Sequence, residues 1–232
     1  MPSPQPGPPS DAPGVATWAV VVAAGNGARF GGYKQFSVLA GREMLDWALA
    51  VAAAACDGVV LVVPAEMVSQ CRGRADRVVA GGATRAASVR AGLGAVPSDA
   101  GVVVVHDAAR PLAGREIWAA VIEAVRQGAD GAVPCVPVAD TIKQRRDDGS
   151  LVTVPRSQLL AAQTPQAFLA ATLRAAHAGG GDATDDAGLV EAIGGRVVSV
   201  EGHPGNMKVT NPLDLALAEA ALAVLDAGGG QP

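Results

Sequence analysis

The chain has 232 residues, half of them apolar but only 3% aromatic, and a formal net charge of −4. That length suffices for one large domain or two small ones, with a substantial core that Ala, Val and Leu must fill. Acids and bases are mixed with no block of one sign, which argues against nucleic acid as a partner, and no aliphatic run reaches the roughly 18 uninterrupted residues of a membrane helix.

In chain order, the Pro-rich residues 1–15 are expected to be a disordered tail, since they lack the basic and apolar regions of a signal peptide. Val-rich runs then predict strands over 19–23, 59–63, 78–80, 102–105, 131–136 and 197–200. Between them, Ala/Leu-rich stretches of helical spacing predict helices over 42–55, 65–75, 84–95, 115–126, 166–178, 185–193 and 212–225. Strands that alternate with helices imply a mainly parallel α/β sheet in a single domain over 16–227, with a short disordered tail over 228–232.

One segment breaks the alternation. Within 137–164, Asp147-Asp148-Gly149-Ser150 is a turn sequence between TIKQ and LVTV, which predicts a projecting β-hairpin arm. A two-stranded hairpin is marginal alone in water, so it is expected to pack against something else, such as a second subunit.

The chemistry begins after the first strand, where residues 20–36 read VVVAAGNGARFGGYKQF. A dinucleotide fingerprint fails by one residue, because the third glycine, Gly31, falls late. A P-loop fails because Tyr33 precedes Lys34 and Gln35 follows it, leaving no hydroxyl for magnesium. The pattern AAGxGxR followed by Lys-Gln instead resembles the nucleotide loop of nucleotidyltransferases that activate sugars and polyols. Ala23, Ala24, Gly25, Asn26 and Gly27 would bring backbone amides to a triphosphate, with Arg29 as a forked donor and Lys34 as a compact charge.

Further segments extend the pattern. Gly81, Gly82 and Ala83 precede a helix whose Ser88 hydroxyl is placed to read a base edge, and VVVVHDAARP puts Asp107 and Arg110 at the carboxyl end of a strand, where open α/β sheets bind ligands. Downstream come Asp140-Thr141-Ile142-Lys143, then Arg156, Gln163-Thr164-Pro165-Gln166, Ala183-Thr184-Asp185-Asp186 and Asn206-Met207-Lys208-Val209-Thr210. In this order, over residues 17–225, the set resembles the 2-C-methyl-D-erythritol 4-phosphate cytidylyltransferase family, although Tyr33 and Ala83 depart from its usual residues.

The resemblance implies a Rossmann-like fold and transfer of a cytidylyl group from CTP to a polyol phosphate in non-mevalonate isoprenoid biosynthesis. It implies Arg29, Lys34, Arg156 and Lys208 as catalytic cations. Asp107, Arg110, Thr141, Thr164 and Thr184 would bind the acceptor with Arg156 and Lys208. The arm would carry Thr141 and Arg156 into the partner subunit's site, making a homodimer. Mg2+ would be held mainly by the triphosphate, with Asp107 either completing its shell or binding substrate hydroxyls. A transferase for ribitol 5-phosphate or another polyol phosphate, and a nucleotide sensor without turnover, are the alternatives.

The remaining candidates point elsewhere than catalysis. Cys56, Cys71 and Cys135 are odd in number and widely spaced, which suits neither a disulfide framework nor a zinc site and favours a reducing cytoplasm. His106 is expected to face away from Asp107, His177 and His203 have no evident partners, and no serine lies in a Gly-x-Ser-x-Gly elbow.

Overall fold

The computed structural model describes residues 15–25 and 30–227. Most of the tail at 1–15, the tail at 228–232, and Asn26, Gly27 and Arg29 of the nucleotide loop therefore lie outside the described residues. Among the described residues no helix is long and apolar enough to cross a membrane.

The chain opens with β1 (Thr17–Val22), followed by a short hairpin of β2 (Val38–Leu39) and β3 (Arg42–Glu43) that leads directly into α1 (Met44–Ala55). Next come β4 (Gly58–Val63), β5 (Arg77–Ala80), α2 (Arg85–Ala95), β6 (Val102–Asp107) and α3 (Arg115–Arg126). β7 (Gly131–Pro137) precedes an arm made of β8 (Ile142–Arg145) and β9 (Leu151–Val154), after which β10 (Leu160–Ala162) and β11 (Gln166–Leu169) rejoin the main sheet. α4 (Ala170–Ala178), α5 (Asp186–Ala192), β12 (Val197–Glu201) and α6 (Pro212–Ala227) complete the chain.

The main sheet runs β10-β7-β11-β6-β1-β4-β5, with β12 added to β7. β5, β4, β1 and β6 are parallel, while β11 inserts antiparallel between β6 and β7. β4 and β6 are buried along their whole length, as expected for strands covered by helices on both faces. Two aliphatic clusters fill those faces. One packs α1 and α3 through Leu45, Ala52, Trp118 and Val121, and the other packs α2 and α4 through Val89, Leu93 and Leu173.

β1 pairs with β4 on one side and β6 on the other, so the chain crosses back over β1 after β5. That reversal opens a crevice beyond the carboxyl ends of the parallel strands, the place where such sheets take ligands. The arm, between β7 and β10 in the chain, forms a two-stranded sheet of its own, with its register set by Ile142 opposite Val154 and its turn braced by the Ser150 amide donating to Asp148 Oδ1 at 2.8 Å.

Three predicted helices change on inspection. The segment 65–75 forms only a 3-10 turn at Ala65–Met67 and further turns, because Gly73 sits at φ +83° and diverts the chain toward β5. Over 166–178 the first four residues are strand β11 instead, since Pro165 precedes them and Phe168, fully buried, pairs into the sheet opposite Val103. The helix expected from 42 begins at Met44, because Arg42 and Glu43 are taken by pairing with β2.

Candidate active site

The crevice is a cavity of about 520 Å3 whose walls come from the ends of β1, β4, β5 and β6, together with Lys34 and Lys208. Ala23, Ala24 and Gly25 continue β1 into its floor. Gln35 is buried beside them and donates to the Ala23 carbonyl at 2.6 Å and the Gly25 carbonyl at 3.3 Å, which fixes the loop's two ends together. That bond accounts for the Lys-Gln pair: the glutamine anchors while the lysine enters the cavity wall. Lys34 Nζ donates to the Val209 carbonyl at 2.7 Å, so the first loop is tied to the segment that carries Lys208.

Opposite, Gly81, Gly82 and Ala83 form a second backbone wall. A Cβ on Gly81 would stand 2.3 Å from Ala24 Cβ, so only glycine lets the two loops meet. Thr84 caps α2 by accepting from the Ala87 amide at 3.1 Å. Ser88 lines the cavity, but its hydroxyl accepts from the Gly82 amide at 3.1 Å and donates to the Thr84 carbonyl at 3.0 Å. Those bonds make Ser88 a brace of the glycine wall. At the rim, the Tyr33 hydroxyl donates to Glu66 across the cavity mouth.

Asp107 ends β6 and separates this cavity from a second one of about 200 Å3, which Arg110, Thr164 and Thr184 also line. Lys208 Nζ donates to its Oδ2 at 2.6 Å and Arg85 Nε to its Oδ1 at 2.9 Å. Burial alone would raise the carboxyl's pKa, but the charges of Arg85 and Lys208 more than offset it and hold the group well below the usual carboxylate range. Arg85 Nη1 reaches on to Asp186 Oδ2 at 2.7 Å, and the other oxygen of this carboxylate, Oδ1, accepts from His177 Nε2 at 2.9 Å in a site where Asp186 is 1% exposed. His177 thus has a buried partner that sequence gave no sign of.

The backbone around Asp107 is locked by His106. The Asp107 amide donates to Thr164 Oγ1 at 3.1 Å, and Thr164 Oγ1 lies 3.1 Å from His106 Nδ1. His106 Nε2 in turn meets the Arg110 carbonyl at 3.1 Å. A carbonyl can only accept, so the proton sits on Nε2 and Nδ1 accepts from the threonine hydroxyl. Burial pushes the His106 pKa down to about 4, in keeping with this neutral form. Behind it, the Trp118 ring lies 5.1 Å from the imidazole.

The final segment docks onto the same loop. Arg110 Nη1 donates to the Asn206 carbonyl at 2.6 Å, and the Val209 amide donates to the Ala109 carbonyl at 2.8 Å. Fully buried Asn206 donates to Gln163 Oε1 and the Thr164 carbonyl, which turns the sequence NMKVT so that Lys208 projects into both cavities.

The structure therefore brings together Lys34, Lys208, Asp107, Ala23 to Gly25 and Gly81 to Ala83 around one cavity, and Arg110, Thr164 and Thr184 around its neighbour. Thr141 and Arg156 line neither cavity of their own chain, and Arg156 Nη1 bonds the Ala139 carbonyl at the base of the arm. Arg85 is the residue sequence reading passed over. It lines both cavities, yet its partners are 22 and 101 positions away, so no local pattern pointed to it.

Comparison with known proteins decides the family. Residues 17–224 match the family model described as IspD: 2-C-methyl-D-erythritol 4-phosphate cytidylyltransferase. This chain belongs to that family.

Two relatives bearing the cytidylyltransferase name come from Rhodococcus jostii and Streptomyces coelicolor. The first is 48% identical, over 87% of this chain and 93% of its own, and the second 45% identical, over 89% and 85%. Among solved structures, the cytidylyltransferase of Thermus thermophilus is 38% identical with a TM-score of 0.76, covering 88% of this chain and 98% of that one. The synthase of Anaerococcus prevotii superposes with a TM-score of 0.80 at 27% identity, covering 90% and 99%. Their shared architecture is the mainly parallel α/β sheet described above.

Proposed function

We propose that the protein transfers the cytidylyl group of CTP to 2-C-methyl-D-erythritol 4-phosphate, releasing pyrophosphate and forming 4-diphosphocytidyl-2-C-methyl-D-erythritol in non-mevalonate isoprenoid biosynthesis. The observation that carries this reading is that Lys34 and Lys208, from opposite ends of the sequence, line one cavity between two glycine-rich walls.

In the reaction a phosphate oxygen of the acceptor attacks the α-phosphorus in line while pyrophosphate leaves. Both reactants are polyanions, so neutralising and aligning them is the main task. Lys34 would stabilise the α-phosphoryl group, and the Gly25 and Gly81-Gly82 walls would take the nucleotide. Arg29 would meet the leaving phosphates. Lys208 faces the second cavity too, where it would receive the acceptor phosphate beside Arg110, Thr164 and Thr184. No general base is required, because a phosphate monoester with a second pKa near 6 is already largely ionised at neutral pH.

For a divalent cation such as Mg2+, the donor set supports one of the two roles of Asp107. Both Asp107 oxygens already accept from cations, and among the described residues no group of three His, Cys, Asp or Glu side chains converges. Asp107 therefore fits the hydroxyl-binding role better than the metal-binding one, and triphosphate oxygens with water are the better ligands for the ion.

The arm completes the reading. Thr141 and Arg156 are exposed on it, along with Leu151 at 61% exposure, and we assign it to a homodimer in which each arm serves the partner's second cavity.

The test is pyrophosphate release measured over a panel of nucleoside triphosphates and polyol phosphates. Release should require CTP together with methylerythritol phosphate, and Lys34→Ala and Lys208→Ala should each lower turnover by about 100-fold or more. Preference for ribitol 5-phosphate, or tight CTP binding with no product from any acceptor, would overturn the assignment.

A further inference from the structure

We propose that Arg85 and Asp186 are positioning residues for this transfer. They hold Asp107 in place between the two cavities, so that Lys208 can pass from Asp107 to the acceptor phosphate without the carboxylate following it. The inference rests on the cytidylyltransferase reading above and adds two residues to it.

Four charged groups form one chain: Lys208, Asp107, Arg85 and Asp186. Two are cationic and two anionic, so the set is neutral as it stands. Each Asp107 oxygen has its own cation, Oδ2 with Lys208 at 2.6 Å and Oδ1 with Arg85 at 2.9 Å. The two ends of the chain differ in burial. Lys208 is 41% exposed, Arg85 23% and Asp186 only 1%, and behind Asp186 stands buried His177 on α4. The Lys208 end can move, while the Asp186 end is fixed between α4 and α5.

An acceptor phosphate entering the second cavity competes with Asp107 for Lys208. If Lys208 were the only partner of Asp107, its departure would leave a buried carboxylate without a counter-charge, an arrangement proteins avoid. Arg85 removes that penalty, because it keeps Asp107 paired after Lys208 has turned away. Asp186 is needed for the same reason one step further on: it holds the guanidinium in the orientation that presents Nε to Asp107. Arg85 Nη2 is buried with no hydrogen-bond partner among the described residues, so the fork keeps one donor beyond those that position Asp107. With Arg85 in place, Asp107 stays ionised and stationary and can accept from acceptor hydroxyls.

A lysine at position 85 retains charge but cannot span two carboxylates with a planar fork. Asparagine at 186 keeps an acceptor of the same shape and removes the charge. Initial rates of the full-length Arg85→Lys and Asp186→Asn enzymes, with each substrate varied in turn, test the proposal.

Arg85→Lys should raise KM for methylerythritol phosphate about 10-fold and Asp186→Asn by about 3-fold or more, with KM for CTP changed less than either. A merely structural role would lower the active fraction and leave both KM values in place. Unchanged acceptor KM in the two variants, or equal rises for both substrates, overturns the proposal. Should Arg85→Lys fail to fold, the near-isosteric Asp186→Asn decides alone. Absence of transfer by the wild-type enzyme would instead defeat the cytidylyltransferase reading itself, so the two failures are distinguishable.

Discussion

His106 shows how a residue outside the chemistry can fix the residues inside it. Its two ring nitrogens bridge Thr164 and the Arg110 carbonyl, which places the strand end carrying Asp107 against the segment leading to β11. The neutral ring that this requires is a titratable liability. In the unfolded chain a histidine takes up a proton near pH 6.5, whereas in the fold His106 does so only near 4. Between those values the unfolded state binds more protons, so stability rises with pH and is lost as pH falls from about 6.5 toward 4. The drop in unfolding free energy from pH 7 to pH 5 should be about 2 kcal/mol larger in the wild type than in His106→Gln, as read by urea denaturation at the two pH values. Asp107 acts in the same direction at lower pH, since its depressed pKa contributes stability that is lost as pH falls below the ordinary carboxylate range. At this scale the sequence was only partly informative. Lys34, Asp107 and Lys208, which line one cavity, stand in short motifs, whereas Arg85 and His177 take their meaning from Asp107 and Asp186, partners that only folding brings near.

Among the elements, the strands that build the crevice were legible because each is a short aliphatic run, with β4 stopped by Pro64, β5 by Gly81 and β6 by Asp107. β11 was not. Its four residues read as the start of α4, and only pairing with β6 and β7 decides them in favour of strand. The 65–75 segment erred in the opposite sense, as local helical spacing was overridden by the turn at Gly73. The arm was legible from its turn sequence, and its assigned role gives a prediction. If each arm serves the partner's site, an Arg156→Ala protomer and a Lys208→Ala protomer together form one intact site per mixed dimer. Co-refolding equal amounts should then restore about a quarter of wild-type turnover, since half the dimers are mixed and each has one complete site of two. No recovery above the separate variants would place the arm on its own chain's cavity or outside catalysis.

Across the whole molecule, the site is a meeting of distant sequence. The first loop, the ends of four strands and the last segment before α6 converge on two adjoining cavities, and the ties between them are mostly backbone carbonyls capturing side-chain donors. The α/β class and the motifs holding the two lysines could be read in advance because the alternation of strand and helix patterns and short motifs are local features; the neutral chain of four charges could not. The ring contact between Trp118 and His106 has a practical consequence. Trp118 is fully buried and its indole N–H has no partner among the described residues, while Trp18 and Trp47 are only partly covered. With those two replaced by Phe, light emitted by the remaining indole would report on the imidazole beside it, and through Thr164 on the second cavity. Its intensity should change on adding methylerythritol phosphate with CTP and much less on adding CTP alone, which would give this enzyme an intrinsic optical signal for the second substrate; equal responses to both additions would show that the indole senses no such difference.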